Sequence, residues 1–95
     1  MFVVLLHYVK PLETVDQHMK AHMTFVRACY REKVFLVSGR RVPRTGGVIL
    51  ARAPSKEELV EIIERDPFVV EGIATYEIIE FNSSQCAPEL KIYAD

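Results

Sequence analysis

Apolar residues along this chain fall into four short runs that predict β-strands. Residues 2–8 form a nearly continuous apolar run rich in β-branched and aromatic side chains, typical of a central strand buried on both faces. Residues 34–38, 47–53 and 74–81 form the other three runs, and in the last of them successive residues alternate between two faces that both carry hydrophobic side chains. The chain is therefore predicted to contain one four-stranded sheet.

A helix is predicted between the first two strands, from Val15 to about Glu32, and Thr14 with Gln17 matches a capping box at its start. Its apolar stripe consists of Val15, Met19, His22, Val26, Cys29 and Lys33. Because these positions follow helical spacing, His22 is expected to point toward the protein interior with its neighbours.

A second helix is predicted to start at Ser55, which forms a capping box with Glu58, and to end near Arg65. The tail, residues 82–95, begins with polar residues. Its short apolar segment 90–93 is interpreted as an edge strand or a partner contact.

The order β-α-β-β-α-β predicts an α+β, ferredoxin-like fold with an antiparallel sheet and both helices on one face. The other face would stay open. Because the first and fourth strands carry apolar side chains on both faces, a second copy of the chain is expected to cover that face, giving a two-fold dimer.

Composition and charge narrow the function. Ninety-five residues fit a single domain, 1–95, with a core at about 2–81. The net charge of -1, without a basic stripe, argues against a nucleic-acid partner. Arg40, Arg41 and Arg44 could bind one small anion or form a solvated loop.

The setting is expected to be the cytoplasm. Cys29 and Cys86 are too few for a disulfide framework, and no segment resembles a signal peptide. No apolar run approaches the roughly 20 residues of a membrane helix, so no membrane partner is predicted.

His22 and Asp66 each have two interpretations. A buried imidazole needs a hydrogen-bond partner, so His22 either bonds within the fold or lines a cavity as a general acid or base. Asp66 precedes Pro67, so it either caps a helical turn or orients the imidazole of His22. The two can meet only if the two helices are axially offset or the Asp-Pro segment folds back.

Other polar residues carry weaker signals. His18 and His22 have the spacing of two metal ligands, but no third ligand is apparent and no metal is predicted. His7 lies near a strand end, where it either contributes to a cleft or stays at its rim. Gly46 and Gly47 are interpreted as serving a turn with positive φ.

Several short motifs together resemble the YciI-like family over about residues 2–81. They are Ala21-His22-Met23, Leu36-Val37-Ser38-Gly39, Gly46-Gly47, Asp66-Pro67-Phe68 and Glu71-Gly72-Ile73-Ala74. The resemblance implies a dimeric α+β barrel of ferredoxin-like subunits, related in fold to muconolactone isomerase. It also implies a His-Asp dyad at His22 and Asp66, and some family members are dehydrochlorinases of chlorinated hydroxyquinols.

The chain departs from the family pattern at two positions. Arg40 follows Gly39 where the family commonly has proline, and Met19 stands where the family commonly has an arginine shortly before the helix histidine. The positive charge of Arg40 would suit an acidic or phenolate-like ligand.

These observations predict a lyase or isomerase that transfers a proton on a small cyclic or aromatic compound, without a cofactor. His22 would be the general base and Asp66 its orienting carboxylate, while Ser38, Arg40 and His7 would bind substrate. The alternative is a non-catalytic dimer module that binds a small ligand or regulates a partner.

Overall fold

The computed structural model describes residues 1–94. Its strands are β1 (Phe2–Tyr8), β2 (Phe35–Arg40), β3 (Gly46–Ala51) and β4 (Ala74–Glu80). Its helices are α1 (Leu12–Gln17), α2 (Met19–Arg31), α3 (Lys56–Ile63) and α4 (Pro67–Val70), and a 3-10 helix spans Pro88–Tyr93.

The four strands form one antiparallel sheet in the order β2-β3-β1-β4. The strand β1 lies in the centre and pairs with β3 on one side and with β4 on the other. This arrangement confirms the α+β, ferredoxin-like fold.

The first helix is not continuous, which corrects the prediction of one helix from Val15 to Glu32. It breaks at His18, whose φ and ψ are -104° and 2°. The amide of His18 bonds the carbonyl of Val15, and its imidazole Nδ1 lies 2.9 Å from the carbonyl oxygen of Thr14. In a continuous helix the backbone amide of His18 would donate to the carbonyl of Thr14. Here the imidazole of His18 bonds that carbonyl instead. Thr14 lies within α1 and caps nothing, because the helix follows Pro11.

The helix α2 ends in a Schellman motif. The amide of Val34 bonds the carbonyl of Cys29 at 2.9 Å, and the amide of Lys33 bonds that of Tyr30 at 3.0 Å. Lys33 takes the left-handed position with φ of 62°. The position therefore holds a lysine where glycine is the usual residue, and Lys33 lies outside the helical stripe.

The core lies between the sheet and the helices. Its fully buried side chains from the sheet and from α3 include Phe2, Val4, Phe35, Leu59 and Ile63. A second buried cluster consists of Val15, Phe68, Ile73 and Ala74. The predicted cap of α3 is confirmed, since Ser55 Oγ accepts a hydrogen bond from the amide of Glu58.

An irregularity in β2 decides which residues face the helices. Phe35 pairs with Ala51, but the register then shifts between Phe35 and Val37, so Ser38 pairs with the buried Ile49. Directly opposite residues of paired strands share a face. The shift therefore turns Ser38 toward the helices and Val37, which is 58% exposed, toward the open face.

Gly46 and Gly47 lie inside β3 and neither has positive φ, which corrects their interpretation as a turn. A Cβ built on Gly46 would lie 1.7 Å from the carbonyl oxygen of Leu6. Close approach of β1 explains the glycine at position 46.

The tail does not form the edge strand that was one interpretation of residues 90–93. It forms the 3-10 helix, and the ring of Tyr93 lies 5.9 Å from the guanidinium carbon of Arg52. Residue 95 of the predicted domain and tail lies outside the described residues.

Candidate active site

His22 and Asp66 are hydrogen-bonded although they come from distant parts of the chain. The imidazole Nδ1 of His22 lies 2.8 Å from Asp66 Oδ1, and both residues are buried. A carboxylate only accepts hydrogen bonds, so Nδ1 carries the hydrogen and Nε2 of the neutral ring keeps its lone pair. This is the arrangement that an orienting carboxylate and a general base require.

The Asp-Pro turn also serves as a helix cap. Asp66 Oδ1 accepts a hydrogen bond of 2.9 Å from the amide of Phe68, and Pro67 is the first residue of α4. The short α4 packs against α2, which brings Asp66 back to His22. The two interpretations of Asp66 are thus compatible, because one oxygen accepts both hydrogen bonds.

The second oxygen of Asp66 is buried and has no hydrogen-bond partner among residues 1–94. Leaving a buried oxygen unpaired costs about 1 to 3 kcal/mol. The carboxylate is therefore held in place by Oδ1 alone, through the two N–H groups that it accepts.

A cavity of about 410 Å³ adjoins the imidazole, and its lining includes Leu6, Tyr8, Met23, Ser38 and Arg40 in addition to His22. The side chain of His22 retains 11% exposure. Its Nε2 atom is neither sealed by protein nor hydrogen-bonded within the described residues. A molecule in the cavity can therefore approach Nε2.

Ser38 and Arg40 line this cavity from β2. Both face the helices because of the register shift, and Ser38 Oγ lies 2.5 Å from the phenolic oxygen of Tyr30 on α2. A hydroxyl and a guanidinium therefore share the cavity with the imidazole.

The other two arginines of the loop have partners inside the fold. Arg44 forms an ion pair with Asp16 of α1. The hydrogen bond to Arg44 lowers the pKa of the Asp16 carboxyl, and the same bond raises the pKa of the Arg44 guanidinium. Arg41 donates to Nδ1 of His7 over 2.7 Å.

His7, the remaining candidate for substrate binding, does not belong to the lining of this cavity. Leu6 and Tyr8 line the cavity, and because side chains alternate along a strand, His7 points to the opposite face of the sheet. Its Nδ1 atom is occupied by Arg41. Of the five candidate site residues, the structure thus brings His22, Asp66, Ser38 and Arg40 together.

Sequence reasoning missed the role of Phe68 at the imidazole. Its ring stacks on His22, with centroids 4.0 Å apart and planes inclined by 3°. The sequence signal for this role was the position of Phe68 two residues after Asp66. A helix cap at Asp66 fixes the backbone at Phe68 and therefore the direction of its side chain.

Cys29 behaves as a buried apolar residue. Burial raises the pKa of its thiol to about 11, and the nearby carboxylates of Glu32 and Asp66 add to this effect. A thiol with so high a pKa stays protonated at neutral pH and is a poor nucleophile.

Residues 1–94 offer neither a cluster of metal ligands nor a membrane-spanning helix. Their histidines, cysteines and carboxylates form no group of three or more suited to a metal ion. No helix in the same part of the chain has the length and apolar character needed to cross a bilayer.

Among solved structures, the fold is similar to 5-chloro-2-hydroxyhydroquinone dehydrochlorinase (TftG) from Burkholderia phenoliruptrix AC1100, solved in complex with 2,5-dihydroxybenzoquinone. The TM-score is 0.71 at 18% identity, over 86% of this chain and 94% of that chain. No curated protein matches the sequence. The model of the YCII-related domain matches residues 1–82, so the chain belongs to the YCII-related family.

Proposed function

We propose that this protein is an enzyme of the lyase or isomerase type that moves a proton on a small cyclic or aromatic compound. The observation that carries the proposal is the pairing of His22 Nδ1 with Asp66 Oδ1 at 2.8 Å, with Nε2 accessible from the cavity. A buried histidine serving only the fold would have no need of an open second nitrogen.

In the proposed reaction, Nε2 of His22 takes a proton from a carbon next to a carbonyl group. The electron pair of the broken C–H bond moves onto the carbonyl oxygen, and Asp66 stabilises the imidazolium. The enolate then recovers the proton from His22 at another carbon, which is an isomerisation. Alternatively, it expels an anionic leaving group such as chloride, which is an elimination, and the imidazolium then releases its proton to solvent.

Ser38 and Arg40 would stabilise the oxygen on which negative charge develops. The cavity offers the hydroxyl of Ser38 and the guanidinium of Arg40, and no carboxylate belongs to its lining within residues 1–94. Donors already in place where charge develops contribute strongly to catalysis. The site is therefore proposed to select compounds with an acidic hydroxyl or a conjugated carbonyl.

The experiment is a hydrogen–deuterium exchange assay in D2O with a panel of lactones, hydroxyquinols and quinones, followed by NMR. Loss of substrate C–H signal is expected with the wild type and not with His22→Asn. The matched control is His18→Asn, since His18 is the other histidine of this helical region and bonds Thr14 outside the cavity lining.

Exchange that persists in His22→Asn would contradict the assignment of the base. Binding of a panel member without any exchange or turnover would instead favour a ligand-binding or regulatory module.

We also propose that two copies of the chain pack through the open faces of their sheets. The side chains on this face include Val3, Leu5, Val37, Val48, Leu50 and Ile79. Val37, Val48 and Ile79 are 58%, 39% and 44% exposed. A continuous apolar patch of this kind on a sheet suits face-to-face packing of two sheets.

Light scattering during size-exclusion chromatography tests the dimer. Ile79→Lys is expected to give a monomer, because it places a charge in the proposed interface. Val70→Lys is the control, since Val70 is 63% exposed but lies on α4, on the other side of the sheet. A monomeric wild type would contradict the proposal.

The cytoplasm is the proposed location. Cys86 is exposed and free, and Cys29 is buried and free, as a reducing compartment would maintain them. Cell fractionation tests this placement.

A further inference from the structure

Tyr30 contacts the cavity residue Ser38 from outside the cavity lining. Its phenolic oxygen lies 2.5 Å from Ser38 Oγ. Its ring packs edge-on against the buried Phe35, with centroids 6.2 Å apart. The phenol is therefore held by a core residue on one side and directed at Ser38 on the other.

We propose that Tyr30 is a positioning residue that donates its hydrogen to Ser38 Oγ and thereby leaves the Ser38 hydrogen available to a ligand oxygen. This inference rests on the proposed function, because it assigns a task to a residue that shapes the same cavity.

The direction of the hydrogen bond follows from the chemistry of the two hydroxyls. Each has one hydrogen and can also accept. A phenol, with a pKa near 10, is a stronger acid than an aliphatic alcohol and is the better donor. Tyr30 is the one hydrogen-bond partner of the Ser38 hydroxyl within residues 1–94, so the Ser38 hydrogen is free to point into the cavity.

Donation by Tyr30 also makes Ser38 a stronger donor. Hydrogen bonds in a chain polarise one another, so a hydroxyl that accepts one bond donates the next more strongly. Arg40 lies two residues further along the same strand and on the same face. Ser38 would donate a hydrogen bond to a ligand oxygen, and Arg40 would place a positive charge beside the same oxygen.

Tyr30 shares α2 with His22. The helix therefore carries the proposed base and, two turns further on, the residue that orients Ser38. A substitution at Tyr30 should weaken the hydrogen bond from Ser38 to the ligand oxygen without moving the imidazole of His22.

The first experiment measures the dissociation constant of 2,5-dihydroxybenzoquinone for wild type, Tyr30→Phe, Ser38→Ala and the double variant. Each single variant is expected to bind about 3- to 10-fold more weakly, and the double variant no more weakly than Ser38→Ala. The control is Tyr76→Phe, which loses a comparable phenolic bond of 2.8 Å to Glu64 away from the cavity lining.

Unchanged affinity in Tyr30→Phe would overturn the proposal. So would an equal loss on adding Tyr30→Phe to Ser38→Ala, because the tyrosine would then act independently of the serine.

The second experiment needs no ligand. Neutron diffraction from crystals of the deuterated protein is expected to show the deuterium of Tyr30 directed at Ser38 and that of Ser38 directed into the cavity. A Ser38 deuterium directed at Tyr30 would overturn the proposal. The proton-transfer proposal fails separately, in the exchange assay with His22→Asn.

Discussion

The imidazole of His22 lies parallel to the phenyl ring of Phe68, with the ring centroids 4.0 Å apart. The hydrogen bond to Asp66 fixes one nitrogen of the imidazole, and the stacked ring fixes its plane. Together they orient the imidazole, whose Nε2 atom has no hydrogen-bond partner within residues 1–94. Asp66 and Phe68, both in the short segment after α3, thus fix the direction and the plane of the imidazole that is proposed as the base.

Phe68→Leu is expected to lower the free energy of unfolding by about 1 to 3 kcal/mol, because Phe68 is 1% exposed and a leucine cannot fill the same volume. It should also slow the exchange reaction, since the imidazole loses the surface that fixes its plane. Urea unfolding and the exchange assay measure the two effects. Val70→Ala, on the exposed side of the same helix, should change stability by less than about 0.5 kcal/mol.

Asp66→Asn is expected to preserve the local structure and impair the chemistry. The amide of Phe68 requires an acceptor, so the asparagine oxygen should occupy the place of Oδ1. Its NH2 group would then replace Oδ2, which has no partner in residues 1–94. Nitrogen-15 NMR should find the hydrogen still on Nδ1 of His22. Exchange should fall at least about tenfold, because the imidazolium has lost its counter-charge.

Asp66→Ala is the contrasting variant. It removes the acceptor of two buried N–H groups, and each should cost about 1 to 3 kcal/mol. Full exchange activity in Asp66→Asn would show that the charge of the carboxylate has no part in the reaction.

Alanine at the two neighbouring glycines of β3 is expected to have different effects, on stability at Gly46 and on ligand binding at Gly47. Gly46→Ala should destabilise the fold by about 1 to 3 kcal/mol or more, because its Cβ would lie 1.7 Å from a backbone oxygen of Leu6. In Gly47→Ala the nearest atom lies 3.4 Å away, so the fold should tolerate it. The added methyl group belongs to the cavity lining and should weaken ligand binding. Thermal unfolding measures the loss of stability in Gly46→Ala, and titration with 2,5-dihydroxybenzoquinone measures the weaker binding in Gly47→Ala.

Stability is expected to fall as the pH rises from about 9 to about 11. The thiol of Cys29 has its pKa raised to about 11 by burial, against an ordinary value of 9.0. In that range the unfolded chain releases the proton and the folded chain retains it, so unfolding becomes more favourable. The contribution is about 1 to 3 kcal/mol. Urea unfolding of wild type and Cys29→Ala across this range should show a smaller fall for the variant.

A thiol reagent provides an independent check on Cys29. In the native protein at neutral pH the exposed Cys86 should react quickly, and Cys29 only after unfolding. Rapid reaction of both thiols would contradict the burial of Cys29.

The fold could be predicted because its signals are local. A two-sided apolar run marks the central strand, and Ser55 with Glu58 marks the start of α3. The order of the elements then leaves one compact topology. The break at His18 was not predictable from periodicity, because the apolar stripe continues through it and a side chain supplies the missing hydrogen bond.

The proposed site was only partly predictable. The helical stripe placed His22 correctly in the interior, but Asp66 reaches it through the short α4, which carried no periodic signal. Simple alternation from the buried Phe35 would turn Ser38 and Arg40 to the open face. The register shift in β2 reverses this, and one extra residue in a strand leaves no mark in the pattern of apolar positions.

The partners of the His22–Asp66 hydrogen bond are 44 positions apart along the chain. Until these two distant segments have come together, the imidazole of His22 lacks the carboxylate that fixes one of its nitrogens. The proposed activity should therefore return during refolding only after α4 has packed against α2.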